Sequence, residues 1–334
     1  MPSIKEVAEK AGVSVTTVSR VLNKRGYISQ EMYEQVYAAM EALDYYPNQM
    51  ARNLAKQRTQ LVGLLIPDVG HPFFAVLARE LETRLNQTDY KVLLCNTVGR
   101  TNREREYLNM LRQNRVDGII IGSHMLQTKE YDKINLPIVS IDMVLGQHIP
   151  TISSDHALGG RLAAQRLIAC GCRQVLQVHG DTNVNTPALL RHQTFEQALC
   201  EAGVECINYE LKTNEFHIKE YYPIVDELLD RHRGIDGFFS TDIIAANTIK
   251  AAYAKGISIP GQLNVVGYDG TFLADLSAPT MTCVRQNIGA LADALANTLL
   301  AAIEGKQVPQ GIITVPGIEL TEGETTRQRE NAGA

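Results

Sequence analysis

No apolar run in the 334-residue sequence approaches the ~20 residues that a membrane-spanning helix requires. The N-terminal stretch "MPSIKEVAEKAG" also lacks the apolar segment of a secretory signal peptide. These two absences argue against a helical membrane protein and against a secreted one. We therefore expect a soluble, cytoplasmic protein that does not bind a membrane.

The sequence contains few cysteines, and the six that are present are scattered along the chain. Cys170 and Cys172 form the only close pair, and no second pair follows at the spacing of a zinc site. The eight histidines contain no H-E-x-x-H motif. The cysteines are thus expected to be reduced structural thiols, and we predict no metal site.

Enzyme motifs are missing as well. The segment around the end of the first predicted strand, "LIPDVGHPFF", has one glycine and is not a dinucleotide-binding fingerprint. Neither a P-loop nor a G-x-S-x-G nucleophile elbow is present. The adjacent residues in "SSDH" over 153–156 carry little weight, because a catalytic triad has to converge in space. We predict no catalytic residue, no cofactor and no enzymatic activity.

Charge is distributed unevenly along a chain whose formal net charge is −5. Residues 1–60 contain eight Lys and Arg residues against six Asp and Glu residues, so the remainder carries the negative charge. A basic N-terminal part on an acidic body is typical of a nucleic-acid-binding module joined to a part that does not bind nucleic acid.

The N-terminal residues predict a helix-turn-helix. "SIKEVAEKAG" begins with a capping box formed by Ser3 and Glu6, and Gly12 tolerates the positive φ that ends a helix. Ser14 then caps a second short helix, "VTTVSRVLN", and a third helix is predicted over about 30–43. A three-helix bundle with incidental surface threonines is the alternative.

The start of the second helix has the composition of a DNA-reading surface. Its Ser and Thr hydroxyls can contact bases or phosphates, and Arg20, one turn further on, can form a bidentate contact with guanine. We predict that the exposed side chains of Val15, Thr16 and Thr17 enter the major groove. The predicted DNA-contacting residues of this part are Ser14, Val15, Thr16, Thr17, Arg20 and Asn23.

The segment "YYPNQMARNLAKQRT" has high helix propensity but is too short to form a stable helix alone. Pro47 suits its first turn, Asn48 can help to cap it, and Arg52 supplies charge for phosphates. Leu54 has no evident core to join. We predict a hinge that folds on DNA and wedges Leu54 into a minor-groove step; a basic linker is the alternative.

From Gln60 onward, buried strands alternate with amphipathic helices. Continuous apolar runs such as "LVGLLIPD" and "VDGIIIGS" indicate parallel sheets that are covered on both faces, and two such halves fit the length. Ligands of such sheets bind beyond the carboxyl ends of the strands. The segments that follow the strands, among them "PDVGHPFF", "IDM" and "YDG", indicate a polar cleft with aromatic walls.

The stretches "IKEVAEKAGVSVTTVSRVLN" and "LDYYPNQMARNLAKQRTQLVGLLIPD" resemble the LacI–GalR family of bacterial repressors, and "REREYLNMLRQNRVDGIIIGSH" resembles its sucrose-operon regulators. The likeness covers nearly the whole chain. It implies an α/β protein with a three-helix helix-turn-helix head, a hinge helix and a two-lobed body similar to periplasmic binding proteins. The implied domains are the head (1–46), the hinge (47–59), a first lobe (60–154 with 286–314) and a second lobe (155–285 with 315–334).

The resemblance also implies a pocket for a sugar between the lobes. Arg191 matches the ligand-binding arginine of the family, and aromatic rings stack on the ligand where Phe73 and Phe74 fall. Many relatives have Asn-Asp where this chain has Thr241-Asp242. The effector-binding residues implied in this way are Phe73, Phe74, Ser123, His124, Asp142, Arg191, Phe216, Asp242 and Asp269. Structural alternatives exist for several of them: strand-end turns for Asp142 and Asp269, a loop position for His124, and the core for Phe73 or Phe74. For Arg191 the alternative is a solvated charge on a helix.

As a family member, the protein is expected to repress transcription by binding a pseudo-palindromic double-stranded operator as a homodimer. The favoured effector is a sugar of the fructose or sucrose type. A polar C-terminal tail without leucine heptads predicts no tetramer-forming coiled coil. The alternatives are a repressor that needs a non-sugar corepressor such as a purine, and a sugar-binding or sugar-modifying protein without a regulatory role.

Overall fold

The structure is a computed structural model. It describes residues 2–23, 26–46, 58–97, 101–123, 128–211 and 218–327. The chain divides into two compact units, residues 1–59 and residues 60–334. Five residues of the predicted sites lie outside the described residues: Asn48, Arg52, Leu54, His124 and Phe216. The hinge helix therefore stays a prediction.

Three helices form the first unit: α1 (Ile4–Lys10), α2 (Val15–Asn23) and α3 (Gln30–Ala42). The predicted capping box is confirmed, since Ser3 Oγ accepts the Glu6 N–H at 3.4 Å and Glu6 Oε2 accepts the Ser3 N–H at 2.6 Å. Gly12 has the predicted positive φ of 67° after α1. Each helix contributes one fully buried valine to the core: Val7, Val18 and Val36.

The second unit contains two six-stranded sheets, one in each lobe. The strands of the first sheet are all parallel and lie in the order β11-β5-β4-β3-β1-β2. Their bounds are β1 (Leu61–Ile66), β2 (Lys91–Asn96), β3 (Gly118–Ile121), β4 (Ile138–Ile141), β5 (Thr151–Ser154) and β11 (Ile312–Val315). The helices of this lobe are α4 (Pro72–Gln87), α5 (Thr101–Gln113), α6 (Thr128–Tyr131) and α12 (Ile288–Ile303).

The second sheet has the order β12-β10-β9-β8-β6-β7. Its strands are β6 (Gln174–His179), β7 (Glu205–Glu210), β8 (Gly237–Phe239), β9 (Asn264–Asp269), β10 (Thr282–Arg285) and β12 (Glu319–Thr321). The helices of the second lobe are α7 (His156–Ala169), α8 (Leu189–Glu201), α9 (Ile218–Arg231), α10 (Asp242–Ala254) and α11 (Phe272–Leu276). In the described part of the chain, no helix is long and apolar enough to span a membrane.

The two-lobed α/β architecture confirms the predicted fold class, with one local difference. Strand β12 pairs antiparallel with β10, so the second sheet is mixed at that edge. The connection explains this difference. β11 ends at the cleft between the lobes, and after a short link β12 begins there, at the edge of the second sheet where β10 ends. β12 therefore runs in the opposite direction to β10. Parallel pairing requires a long crossover, which this link does not contain.

The chain passes between the lobes near residues 154–156, 285–288 and 315–319. These passages lie at the carboxyl ends of β5, β10 and β11, so the carboxyl edges of the two sheets face a common cleft. Two aspartates at these edges have positive φ angles, +52° for Asp142 after β4 and +97° for Asp269 at the end of β9. Such strained residues cluster at ligand sites, where the surrounding structure holds them in place.

Candidate functional site

A cavity of about 220 Å³ lies between the carboxyl ends of the two sheets. Ile141 and Asp142 line it from the first lobe, and His179 and Asp269 line it from the second. The β6–α8 loop and the first turn of α8 also contribute to the wall, and Arg191 extends from that turn. A concave site with an apolar wall and a few convergent polar groups is the usual form of a small-molecule pocket.

Arg191 is the central cation of this cavity. Its guanidinium carbon lies 4.5 Å from the ring centroid of Tyr268, and its Nε donates to Nε2 of His192 at 3.1 Å. Its Nη1 lies 3.8 Å from Oδ1 of Asp269. Stacking, hydrogen bonding and charge pairing together fix the orientation of the guanidinium, which is the kind of preorganisation that a binding site requires.

Close packing of α7 against α8 positions Arg191. Gly160 of α7 lies against the backbone of α8: a Cβ at this position would be 2.1 Å from the carbonyl oxygen of Arg191 and 2.4 Å from Oγ1 of Thr194. A Cβ at Gly159 would be 2.6 Å from the hydroxyl of Tyr268. The glycine pair in "ALGGRLAAQRLIACG" thus permits the helix contact on which the geometry of the pocket depends.

Asp269 is a buried carboxylate that faces Arg191. Gln286 Nε2 donates to its Oδ1 at 2.8 Å. Burial and the nearby carboxylate of Asp242 raise the pKa of Asp269 to about 7, although Arg191 and Gln286 act in the opposite direction. A carboxylate with this environment gains from any further hydrogen-bond donor, such as a ligand hydroxyl.

Asp142 faces the cavity from the first lobe. Its Oδ1 accepts hydrogen bonds from Ser153 Oγ at 2.6 Å and from His156 Nε2 at 3.0 Å, and its backbone carbonyl accepts one from the Thr186 hydroxyl. Burial acts to raise the pKa of Asp142, but His156 and Ser153 outweigh it and hold that pKa below its usual value. Asp142 is therefore an ionised acceptor in the wall of the pocket.

Aromatic rings form the wall at the start of α4. Phe73 is buried and Phe74 is half-buried, and their rings pack edge to face with centroids 5.3 Å apart. Both line the cavity, so the predicted aromatic wall is present in the structure. His71 precedes them, and its ring meets Phe74 at 5.7 Å. Burial and the charge of Arg191 lower the pKa of His71 to about 4, so this ring is neutral near pH 7.

Two of the residues predicted to face the cleft do not line the cavity. Ser123 is buried, and its hydroxyl contacts Glu104 Oε2 at 2.6 Å and Thr97 Oγ1 at 3.1 Å within the first lobe. Asp242 is also buried, and its Oδ2 accepts the N–H and the hydroxyl of Thr271 at 2.8 and 2.6 Å. Neighbouring polar groups bind the Ser123 hydroxyl and Oδ2 of Asp242, so neither side chain lines the cavity in this structure, and their roles as effector contacts stay predictions.

The sequence prediction missed several polar residues of the wall. Gln286 follows a strand of four residues, β10, which the apolar pattern did not reveal. Thr186 lies in a loop that no periodicity marks. His179, in contrast, ends β6 and could have been found by the same strand-end rule that pointed to Asp142. The additional polar lining residues are His71, His179, Asp181, Thr186, His192, Ser240, Thr241 and Gln286.

The helix-turn-helix presents a smaller exposed surface than predicted. Val15, Thr16 and Arg20 are exposed on α2. Thr17 is half-buried, since its hydroxyl lies 2.8 Å from Oγ of Ser14 and its N–H donates to the same oxygen at 3.0 Å. Its expected exposure was therefore wrong: Ser14 caps the helix by accepting the Thr17 N–H, and the Thr17 hydroxyl lies against the same oxygen. At the other end, Asn23 Nδ2 donates to the carbonyl of Ser19 at 2.8 Å.

We expect the free energy of unfolding of Asp269→Asn to rise relative to that of the wild type as the pH increases from about 4 to about 7. Burial raises the pKa of Asp269 in the folded protein, so the folded state binds more protons than the unfolded state in this range. The wild type therefore loses unfolding free energy with rising pH, by up to about 1.4 kcal/mol per pH unit. Chemical denaturation at a series of pH values measures the difference.

The matched control for this experiment is Asp89→Asn, because Asp89 also has a positive φ (+65°) but is exposed. This control replaces a carboxylate with an amide at a position of the same backbone conformation that is not buried. A constant difference between Asp269→Asn and the wild type across the same pH range would show that the carboxylate is ionised in the folded protein throughout.

Comparison with known families and proteins is consistent with this geometry. Residues 3–48 match the model for bacterial regulatory proteins of the lacI family, and residues 164–326 match a periplasmic binding protein-like domain. The chain is 39% identical over 333 residues to the ribose operon repressor of Halalkalibacterium halodurans, covering 99% of each chain. It is 38% identical over 315 residues to the sucrose operon repressor of Streptococcus mutans, covering 94% of this chain and 96% of the other.

Solved structures give the same result. A periplasmic binding protein/LacI transcriptional regulator from Alkaliphilus metalliredigens, complexed with D-xylulofuranose, is 30% identical with a TM-score of 0.73, covering 80% of this chain and 100% of that one. The Lac repressor dimer bound to operator and the anti-inducer ONPF is 25% identical with a TM-score of 0.82, covering 97% and 99%. These relatives are regulators, not enzymes. The chain belongs to the LacI family of transcriptional repressors, which bind operator DNA as dimers under the control of sugar effectors.

Proposed function

We propose that the effector of this repressor is an uncharged sugar with a single ring, of the fructose type. Its hydroxyls bind Arg191, Asp142 and Asp269, and one face of its ring packs on Phe74. The observation that carries the proposal is the convergence of one oriented guanidinium and two carboxylates on a small cavity with an aromatic wall. Carboxylates accept from hydroxyls, arginine donates to sugar oxygens, and aromatic rings cover C–H patches.

The size of the cavity supports a ligand with a single sugar ring. Its volume of about 220 Å³ lies below the roughly 300–1,000 Å³ that is usual for drug-sized ligands. A monosaccharide suits this space better than a disaccharide such as sucrose. Fructose is one half of sucrose, so this preference is compatible with the likeness to sucrose operon repressors.

The charges of the cavity support an uncharged ligand. Of the described lining residues, Arg191 is the only permanent cation, whereas Asp142 and Asp181 are acidic and Asp269, with a pKa of about 7, is partly ionised at neutral pH. Arg191 is also engaged by Asp269 at 3.8 Å. The buried His71 adds no positive charge, because its pKa of about 4 keeps it neutral. A phosphorylated sugar would bring further negative charge to this wall, which opposes its binding.

The ligands and operons in the names of the relatives support a small sugar. They include ribose, sucrose and D-xylulofuranose. Purine repressors are also among the relatives, at 32% identity for one from Serratia proteamaculans. A purine corepressor is therefore the second ligand class to compare in the experiment.

Isothermal titration calorimetry with a panel of ligands tests the proposal. The panel contains fructose, ribose, xylulose, sucrose, fructose 1-phosphate and hypoxanthine, each titrated into the full-length protein. We expect binding of an uncharged monosaccharide, strongest for fructose, and much weaker binding of sucrose and the phosphorylated sugar. Tighter binding of fructose 1-phosphate or hypoxanthine than of any uncharged monosaccharide would contradict it.

We also propose the boundaries of the domains: head 1–46, hinge 47–59, first lobe 60–154 with 286–314, and second lobe 155–285 with 315–334. The sheet order supports the two discontinuous lobes. Strand β11 pairs with β5 through Thr314 and Ser153, and its last residue, Val315, still pairs with Ser154, so the first sheet extends one residue past the boundary at 314; β12 pairs with β10 through Thr321 and Cys283.

For the DNA-binding surface, we propose that Arg20 reads a base. Arg20→Ala should lower operator affinity by about 1–3 kcal/mol and relax the preference at one base pair of each half-site, because arginine donates a bidentate pair to guanine. Operator variants that differ at single positions, titrated by fluorescence anisotropy, measure both effects.

The control for Arg20→Ala is Arg79→Ala, which removes an exposed arginine from the body, where the side chain is 72% exposed. This control should leave operator affinity and base preference as in the wild type. If Arg20→Ala weakened binding to all DNA sequences equally, Arg20 would be a phosphate contact and not a base contact.

A further inference from the structure

A buried amide lies in the middle of strand β6. Gln177 is 1% exposed, and its neighbours in the strand, Leu176 and Val178, belong to the apolar core. Burial of an amide is costly unless both of its polar ends find partners. Here both do: Oε1 of Gln177 lies 2.9 Å from Nδ1 of His192, and its Nε2 donates to Oδ1 of Asn208 at 2.7 Å. These partners, and not packing, explain why an amide stands at this position.

The hydrogen bonds of Gln177 continue in both directions. On one side, Nε2 of the buried His192 accepts from Nε of Arg191 at 3.1 Å. On the other side, Nδ2 of the exposed Asn208 donates to Oε1 of Glu196 at 2.8 Å. A chain of four hydrogen bonds thus leads from the guanidinium in the cavity to a carboxylate on the surface of α8. All five residues belong to elements of the second lobe.

The two ends of this chain fix the direction of each hydrogen bond in it. An arginine N–H group can only donate, and an ionised carboxylate can only accept. Nε2 of His192 therefore carries the lone pair that accepts from Arg191, and the proton of the neutral ring is on Nδ1, from which it is donated to Gln177. The amide orientations agree with this tautomer, since Gln177 donates onward to Asn208 and Asn208 to Glu196.

The ring of His192 is neutral in this environment. Burial, together with the neighbouring Arg191 and His179, lowers the pKa of His192 well below its usual value. The ring also packs against His179 and Phe239, with centroids 5.3 and 6.1 Å apart. A protonated ring would donate from both nitrogens and would oppose the Nε–H group of Arg191. The neutral ring instead presents one acceptor to the guanidinium.

The buried part of the chain contributes more than the exposed part. Asn208 and Glu196 are exposed, so water can replace either of them at little cost. Gln177 and His192 are buried, so a group that loses its partner there stays unsatisfied. Without Gln177, the Nδ1–H group of His192 loses its acceptor, and the ring loses its preference for this tautomer and orientation. The Nε–H group of Arg191 is then no longer held.

We propose that Gln177 and His192 are positioning residues for the effector: they hold the guanidinium of Arg191 by fixing one ring nitrogen of His192 as its acceptor. Tyr268 covers a face of the guanidinium and Asp269 lies near Nη1, whereas His192 alone binds Nε. A side chain that is held in its binding orientation loses less conformational freedom when the ligand binds. The inference rests on the proposed function, since it assumes that the effector contacts Arg191.

Nitrogen-15 NMR of the full-length protein, labelled at histidine and recorded without effector, tests the tautomer directly. The sequence has eight histidines, and the signals of His192 are those that disappear in the variant His192→Gln. We expect Nδ1 of His192 to be protonated and Nε2 to be unprotonated at pH 7. A proton on Nε2 would overturn the proposal, because this nitrogen could not then accept from Arg191.

The substitution Gln177→Met removes the acceptor of His192 and keeps the length of the side chain. Because Gln177 does not line the cavity, an effect on ligand binding has to pass through His192. We expect fructose binding, measured by calorimetry, to weaken by about 5- to 30-fold. In the NMR spectrum, the single tautomer of His192 should become a mixture of both.

The matched control is Gln174→Met in the same strand. Gln174 also donates from Nε2 to a side chain of β7, that of Glu205 at 2.8 Å, but it does not line the cavity or contact His192. This control should keep both the His192 tautomer and the fructose affinity of the wild type. Unchanged His192 signals in Gln177→Met, or equal fructose affinities in the two variants, would contradict the proposal.

If Gln177→Met does not fold, His192→Gln and His192→Leu replace it. A glutamine keeps a carbonyl acceptor for Arg191 and a leucine does not, so the leucine variant should bind fructose at least about fivefold more weakly, and equal affinities would contradict the proposal. A wild-type protein that binds no uncharged monosaccharide would refute the proposed effector. The tautomer of His192, measured without ligand, would still decide whether this ring holds Arg191.

Discussion

Replacing Arg191 with alanine is expected to lower effector affinity by about 30- to 1,000-fold, while the protein still folds and binds operator DNA. The guanidinium is oriented by Tyr268, His192 and Asp269 before the effector binds. Its removal deletes the hydrogen bonds to the sugar and leaves the buried carboxylate of Asp269 without its cation. Calorimetry with fructose measures the affinity, and anisotropy with labelled operator measures the DNA binding.

A second buried arginine provides the control. Arg166 of α7 is 4% exposed and donates from Nε to Thr326 Oγ1 at 2.9 Å and from Nη2 to the Arg327 carbonyl at 2.9 Å. Arg166→Ala should destabilise the fold but keep effector affinity within about threefold of the wild type, because it does not contact the cavity. Wild-type affinity in Arg191→Ala would remove this arginine from the effector site.

The substitution Gly160→Ala is expected to have the largest effect on stability, a loss of about 3 kcal/mol of unfolding free energy. The added Cβ would be 2.1 Å from the carbonyl oxygen of Arg191, and a backbone atom of a packed helix cannot move aside cheaply. Separation of α7 from α8 would also displace Arg191, so weaker effector binding should accompany the lower stability. Denaturant titration and calorimetry measure the two effects.

Gly289→Ala is the matched control, since Gly289 also lies in a helix, α12, but has room for a side chain. Its Cβ would be 3.4 Å from Nη2 of Arg84, at the end of a flexible side chain. Because alanine favours the helix over glycine by about 1 kcal/mol, this substitution should leave stability unchanged or raise it. Equal destabilisation by the two substitutions would show that the α7–α8 contact is not the cause.

The helix-turn-helix could be predicted from the sequence because its signals are local. Ser3 with Glu6, Gly12 and Ser14 each act on the helix end that they adjoin, so the prediction did not depend on tertiary contacts. The exposure of Thr17 could not be predicted in this way. Its hydroxyl has two local options, solvent or the Ser14 hydroxyl, and the sequence pattern does not decide between them.

The body could be predicted in outline, because apolar runs mark buried strands and parallel sheets place ligands at the carboxyl ends. This rule located Asp142 and Asp269 at the cleft, and the family resemblance supplied Arg191. The rule did not show that the side chains of Asp242 and Ser123 lie away from the cavity. At a strand end, the side chains of neighbouring residues point to different sides of the sheet. The side chains that bind Asp242 and Ser123 belong to Thr271 and Glu104, which are distant in sequence, so the local pattern does not show the direction.

Gln286 and Tyr268 illustrate a further limit of the sequence. Their roles depend on contacts to Ser154 and His156, which are more than a hundred residues away along the chain. No spacing rule joins such pairs, because the pairing arises where the chain crosses between the lobes. The glycines of α7 carry a clearer signal, since a glycine pair within a helix indicates a close approach of another element.

We propose that an uncharged monosaccharide in this cavity controls operator binding by the head. Its most direct test is a titration of the full-length homodimer on labelled operator DNA with increasing fructose, at constant salt. We expect saturating fructose to change the operator affinity of the wild type by about 5- to 150-fold and to leave that of Arg191→Ala unaffected. An operator affinity that stays constant with fructose and with every other uncharged monosaccharide of the panel would contradict it.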